Sequence, residues 1–546
     1  MSLSSTISPS TAKAWLADGQ EVALVDVREA GEFASGHPLF ASSIPLGILE
    51  VRLGEMVPSR SCRLVLIDDG YSGRSKLAAE IASRLGYSAV FQLDGGTAGW
   101  QRLGMTLFEG VFVPSKAFGE LVEGAFSVPH ISPQLLRSWQ DAGKEVVLLD
   151  GRPFEEHRRM NIPGSICLPN GELAYRAHEI VSDPGVPVVV HCAGRTRSII
   201  GAQILRDLGF ANPVFALENG TQGWTLAGYE LERGSVRRMD QVPSAQRIQE
   251  MRLQAQSLAD AWDIPCVDVH TASLWAHDTS KTTYVLDVRS DDEFLDGHIA
   301  GAVHAPGGQL IQSTDQWVGV RRGRIVLVDD TGLRAVVVAR WLRMMGLDCH
   351  VLSARREEWS MLTLPARPKV PALSLPVAAF PLAGDALILD TRSSMEYRAA
   401  HLAGARWILR WQLGDRVKDV PKSTPIVLCG DASEVVALVA SDLRSYGFEN
   451  LAVVGGQPAD WRLANVEVVA TALDPTDAEA LDFVFFTHDR HSGNLEAARR
   501  YLAWETGLVD RLGPDERSEF RVRPDAVSTA GTDFVRPTTL SRKTTL

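Results

Sequence analysis

Short runs of consecutive apolar residues, each closed by a charged or turn-forming position and followed by a helical pattern, recur along this chain. The pattern is clearest around residue 150. Residues 146–149 are all apolar and stop at Asp150, 166–168 form a second run, and 188–191 a third. Such runs predict buried strands, because a strand covered on both faces has no polar side to alternate with. Between them, 133–140 reads as a helix, and 198–208 places Ile199, Ala202, Leu205 and Leu208 on one helical face. Strands alternating with helices predict an α/β fold, a small and mostly parallel sheet flanked by helices.

The arrangement occurs four times. An apolar run closes on Asp-x-Arg at Asp26 and Arg28, Asp150 and Arg152, Asp287 and Arg289, and Asp390 and Arg392. Six residues after each Asp stands a glutamate (Glu32, Glu156, Glu293, Glu396), and eleven after it His37, Asn161, His298 or His401. In the last three copies Gly164, Gly301 and Gly404 follow. Each copy then has a second apolar run, a loop and a helical pattern that ends near Gly86, Gly209, Gly346 or Gly447. A tryptophan closes each one: Trp100, Trp224, Trp359 and Trp461. Units of about a hundred residues are too long for a solenoid and suit small domains. Their expected limits are 5–108, 128–232, 264–364 and 371–470, with a helical tail over 471–546.

The connections differ. Residues 110–127 read as a short mixed linker, and 243–262 as a bridging segment rich in helix formers. Prolines at 365, 368, 371 and 376 predict an extended stretch. In the tail, 494–506 reads as an amphipathic helix with Leu495, Ala498, Tyr501 and Leu502 on one face, and 525–546 as a frayed polar end. The tail is expected to pack on one unit as a structural cap. His488, Asp489 and His491 read as a polar turn, since no further ligands are spaced to complete a metal site.

At 546 residues the chain exceeds one core and suggests three or four domains. Its net charge of −12 argues against nucleic acid, and no apolar stretch reaches the ~20 residues that span a bilayer. The first residues lack the basic and apolar segments of a secretion signal. Six cysteines in so long a chain are not a disulfide framework. A cytoplasmic setting, where a thiol stays reduced, is expected.

Candidate chemistry concentrates in one loop. The β-branched run at 188–190 stops at His191-Cys192, and Ala193, Gly194, Arg195, Thr196, Arg197 and Ser198 lead into the next helix. In open α/β sheets ligands bind beyond the carboxyl ends of the strands. Loop N–H groups and the positive end of the following helix can hold an anion there. A thiol of ordinary pKa, about 8.5, is lowered to roughly 3.5–7.5 in such surroundings.

Asp-x-Arg, the Gly-His-Ile-x-Gly at 297–301, the Cys192 loop and the Gly-x-x-x-Trp at 220–224 together resemble the rhodanese family, over roughly residues 5–470. The resemblance implies four rhodanese-like units and transfer of a sulfane sulfur from thiosulfate or a related donor to Cys192. The persulfide would then pass its sulfur to cyanide or a thiol, with no cofactor and no metal. Substrate contact falls to Ala193, Gly194, Arg195, Thr196, Arg197 and Ser198. Of the two arginines, Arg195 is expected to face substrate, while the other can brace the loop against a carboxylate. The implied partners are small sulfur compounds, not nucleic acid or membrane; a homodimer is left open. Some two-domain members carry arginine where this chain has Glu156, so a persulfide or another small sulfur compound is expected to serve better than thiosulfate.

The four second runs differ at the nucleophile's place. Unit 3 has Asp329 and unit 1 Asp68 or Asp69, of which Asp69 fits the spacing to Arg74 and Gly86. Unit 4 has Gly430, with Cys429 matching His191. A carboxylate cannot carry a sulfane sulfur, so units 1 and 3 are expected to be inactive. Cys429 is a rival, but Asp431 and Glu434 stand where arginines would be needed, so unit 4 is read as inactive too. Cys62, Cys167, Cys266 and Cys349 read as packing residues. Two other functions compete. Phosphatase or arsenate reductase loops place five residues between Cys and Arg, whereas four stand between Cys192 and Arg197. A non-catalytic scaffold or sensor would suit three silent units, but not an intact Cys192 loop.

Overall fold

The computed structural model describes residues 5–181, 183–366, 375–382, 384–430, 433–491 and 493–524. The proline-rich stretch over 367–374, Asp431 and the polar end from 525 onward lie outside them. Each apolar run forms a buried strand. In unit 2 five parallel strands lie in the order His130–Ile131, Val214–Leu217, Val188–His191, Val147–Asp150 and Ile166–Cys167. Unit 3 repeats that order with Cys266–Val267, Asp348–Leu352, Arg324–Val328, Thr283–Asp287 and Val303–His304. The strands of units 1 and 4 pair in the same parallel way. The units also interlock. Val320–Arg321 of unit 3 adds an antiparallel strand to Val22–Asp26 of unit 1. Units 1, 2 and 3 share one apolar core, and unit 4 has cores of its own.

Strand register decides which residues are equivalent. The Asp of each Asp-x-Arg pairs with Ile67, His191, Val328 or Cys429, the last residue of the neighbouring strand. The next residues are therefore Asp68, Cys192, Asp329 and Gly430. This corrects Asp69 as the unit 1 equivalent. Asp68 and Cys192 both offer their carbonyl to the same threonine of the closing motif, Thr97 or Thr221, at 2.8 Å. The loop of unit 1 is one residue longer, which is why counting back from Arg74 lands on the wrong aspartate.

Residues 110–127 are not merely a mixed linker. They hold a fourteen-residue helix, Val113–Phe126, that packs on the helix after Cys192 and buries Phe118 and Val122 in the shared core. The expected bridging helix is present as Ala245–Ala261, capped by the Ser244 hydroxyl.

Asp-x-Arg has one structural role in all four units. The Arg Nε and Nη2 donate to the Asp carboxylate at 2.6–3.0 Å by the shortest paths. Nη2 also donates to a carbonyl across the corner: Gly36, Met160, Gly297 or Ala400. The pair thus ties the central strand to the turn eight residues further on. Removing one partner strands a buried charge, which costs about 3–5 kcal/mol. Arg289, 0% exposed, tests this away from Cys192. Arg289→Ala is expected to lower unfolding stability by about that amount in urea titrations; a change near zero would contradict the clasp.

Candidate active site

Cys192 follows directly on the strand Val188–His191, and the helix Thr196–Asp207 begins four residues later. The thiol is 2% exposed yet lies in a polar setting. Its Sγ is 3.5 Å from the Ser198 hydroxyl, which itself donates to the Arg195 carbonyl at 2.8 Å. The N–H groups of residues 193–198 meet no protein acceptor among the described residues. They remain uncommitted around the sulfur, at a helix N-terminus that favours negative charge.

The closing motif supports the loop from behind. Gly220 has φ +51°, and a Cβ there would lie 2.1 Å from the Cys192 carbonyl oxygen. Only glycine lets the helix Gly220–Leu226 approach so closely. Thr221 N–H and Gln222 N–H then donate to the carbonyls of Cys192 and Ala193 at 2.8 and 3.1 Å. Trp224 is fully buried, with its indole N–H on the Glu230 carbonyl at 2.9 Å.

Both loop arginines are held by carboxylates. Arg197 makes a fork to Glu156 at 2.7 and 2.8 Å, with Gln309 of unit 3 at 3.4 Å. Burial disfavours its charge, but Glu156 outweighs that and keeps it cationic beside Cys192. The bracing role considered for one arginine thus belongs to Arg197. Arg195, expected to face substrate, is held by carboxylates as well. Arg195 donates to Glu120 at 2.7 and 2.9 Å and also pairs with Glu123. Both carboxylates come from the helix Val113–Phe126, where their i, i+3 spacing puts them side by side toward the loop.

The tail completes the site. Its helix Leu495–Thr506 packs on Gly220–Leu226 and Val113–Phe126. Glu505 Oε1 accepts from the Thr196 hydroxyl at 2.8 Å and pairs with Lys116 at 3.5 Å. Ala193, Gly194, Thr196, Arg197 and Ser198 are otherwise buried around the thiol. Sequence reasoning missed Lys116, Glu120, Glu123 and Glu505, because none lies within a repeat landmark.

The other thiols stand apart. Burial pushes Cys62, Cys167 and Cys429 up to about 12, with Asp390 adding to the effect at Cys429. Burial also raises Cys349 and, less completely, the exposed Cys266, which is therefore not the packed residue expected. Burial pushes the His191 ring down to about 4, against the pull of Asp150, so it is neutral behind Cys192 at neutral pH. Among the described residues no group of three or more His, Cys, Asp or Glu is placed to hold a metal, and no helix is long and apolar enough to cross a membrane.

A rhodanese-like domain model matches residues 8–103, 132–227, 271–362 and 380–464. The chain belongs to the rhodanese-like family. The crystal structure of a thiosulfate sulfurtransferase from Pseudomonas aeruginosa superposes with a TM-score of 0.86 at 36% identity, covering 95% of this chain and 99% of that one. A sulfurtransferase of Allochromatium vinosum is 33% identical over 92 residues, 17% of this chain and 83% of that protein. An HTH-type transcriptional regulator of Mycobacterium tuberculosis is 38% identical over 104 residues, 19% of this chain and 43% of that protein. The chain spans about half the length of the first curated relatives it matches.

The rhodanese-like loop depends on the Gly220 contact. Gly220→Ala is expected to displace the Cys192 carbonyl and slow reaction of this thiol with a small electrophile by about 10²-fold, the cost of a misplacement near 1 Å. Alkylation rates followed by peptide mass measure it; an unchanged rate at Cys192 would contradict the support.

Proposed function

We propose that this protein is a sulfurtransferase that carries a sulfane sulfur on Cys192. One observation carries the reading: of four register-equivalent positions, only one holds a thiol, and uncommitted N–H groups and a helix N-terminus surround it. The thiolate attacks the outer sulfur of a donor. A new S–S bond forms, the donor's own S–S bond breaks, and the leaving group, sulfite in the case of thiosulfate, departs with the electron pair. The loop N–H groups of residues 193–198 stabilise the persulfide anion. An acceptor thiolate or cyanide then takes the terminal sulfur, and its electron pair returns to Cys192.

The similarity to a thiosulfate sulfurtransferase supports sulfur transfer as the reaction class. The charges near the loop support a donor other than thiosulfate, since Glu156, Glu120 and Glu123 already occupy Arg197 and Arg195. Units 1, 3 and 4 carry no sulfur in this reading, and unit 3 helps build the site through Gln309. The chemistry requires a reduced thiol, which fits a cytoplasmic setting.

Incubation with a sulfane sulfur donor is expected to add one sulfur atom to the intact protein and to Cys429→Ala, and none to Cys192→Ala. Cyanide should remove the added sulfur as thiocyanate. Gain of sulfur by Cys192→Ala, read by intact mass, would overturn the proposal.

A further inference from the structure

Glu505 is the least expected residue at the site. It comes from the tail, more than three hundred residues after Cys192, yet it is 0% exposed. One carboxylate oxygen is engaged by Thr196 and Lys116. The other, Oε2, is buried without a hydrogen-bond partner and points at the loop itself, 3.0 Å from where a Gly194 Cβ would stand. Tyr501, one helical turn earlier, lies 3.8 Å from the same point, so the tail helix sits directly on the loop.

The group is ionised. Burial pushes its carboxyl up, but Lys116, the Thr196 hydroxyl, Arg490 and Arg195 together outweigh burial and hold it below its usual range. The cations around it are already engaged, Lys116 with Glu505 itself. Arg197 is committed to Glu156, and Arg195 to Glu120 and Glu123. Arg490 stacks over the Tyr501 ring at 3.6 Å. A buried carboxylate oxygen with no partner, two residues along the loop from the nucleophile, repels an incoming donor in proportion to that donor's charge.

We propose that the Glu505 carboxylate sets the charge of the sulfur donor that Cys192 accepts, disfavouring dianions relative to donors with one negative charge or none. This rests on the sulfur-transfer reading above. It makes the tail part of the specificity of the site, beyond the structural cap its amphipathic pattern suggests.

The test compares two donors that react alike and differ in charge. Thiosulfate, a dianion, leaves as sulfite; methanethiosulfonate, a monoanion, leaves as methanesulfinate. Each gives Cys192 one sulfur. Second-order rates of sulfur gain, from quenched samples by intact mass, are measured for both donors on the parent, Glu505→Gln and Glu505→Asp. Coulomb energy scales with donor charge, so Glu505→Gln should raise the monoanion rate about threefold and the dianion rate about tenfold, the square of the first. Glu505→Asp, which keeps the charge, should retain the parent's donor ratio. Because the ratio comes from a single preparation, partial misfolding cancels. Equal changes for the two donors, or none, would overturn the role of Glu505. Failure of both donors to load the parent protein would instead overturn the sulfur-transfer reading on which it rests.

Discussion

An arginine near the start of the helix after the loop, gripped in a fork by the glutamate six residues past the Asp of Asp-x-Arg, holds the shape of this site. Arg197 and Glu156 make the bond in unit 2, Arg74 and Glu32 in unit 1, and Arg334 and Glu293 in unit 3. The guanidinium is planar and offers paired donors at a fixed spacing, so the fork fixes orientation as well as distance. In unit 4 the corresponding Glu396 accepts from Ser393 instead. The fork is therefore a property of the scaffold, kept in units 1 and 3 with no thiol present. Reactivity depends on what stands at the single position after the strand.

That separation explains how segments without a thiol still serve the Cys192 loop. Unit 3 brings Gln309 to Arg197, and its Arg334 reaches back to Glu172 of unit 2 at 3.1 Å. The helix Val113–Phe126 supplies Lys116, Glu120 and Glu123, and the tail supplies Glu505. The result is a buried thiol whose neighbouring cations, Lys116, Arg195 and Arg197, are each paired with a carboxylate.

Much of this was legible in the chain. The apolar runs read directly as strands, since parallel sheets bury both faces. Each landmark also has a physical role, in that Arg152 clasps Asp150, Glu156 braces Arg197, and Gly220 admits the Cys192 carbonyl. What stayed hidden was contact between distant segments. Arg195 looked free because Glu120 and Glu123 lie outside the repeat pattern, on a helix whose partners are set by tertiary packing. Two adjacent aspartates in unit 1 hid a one-residue loop insertion that only strand pairing resolves. The tail helix showed its apolar face, but nothing in its spacing named the loop it covers.

The central claim is that the sulfur atom is carried on Cys192 within the loop N–H groups. A crystal structure of the protein after exposure to a sulfane sulfur donor tests it most directly. The account predicts one extra sulfur bonded to Cys192 Sγ, within hydrogen-bonding distance of N–H groups between residues 193 and 198. Extra sulfur on Cys429 or Cys266 with Cys192 unmodified, or a Cys192 persulfide pointing away from those N–H groups, would contradict it.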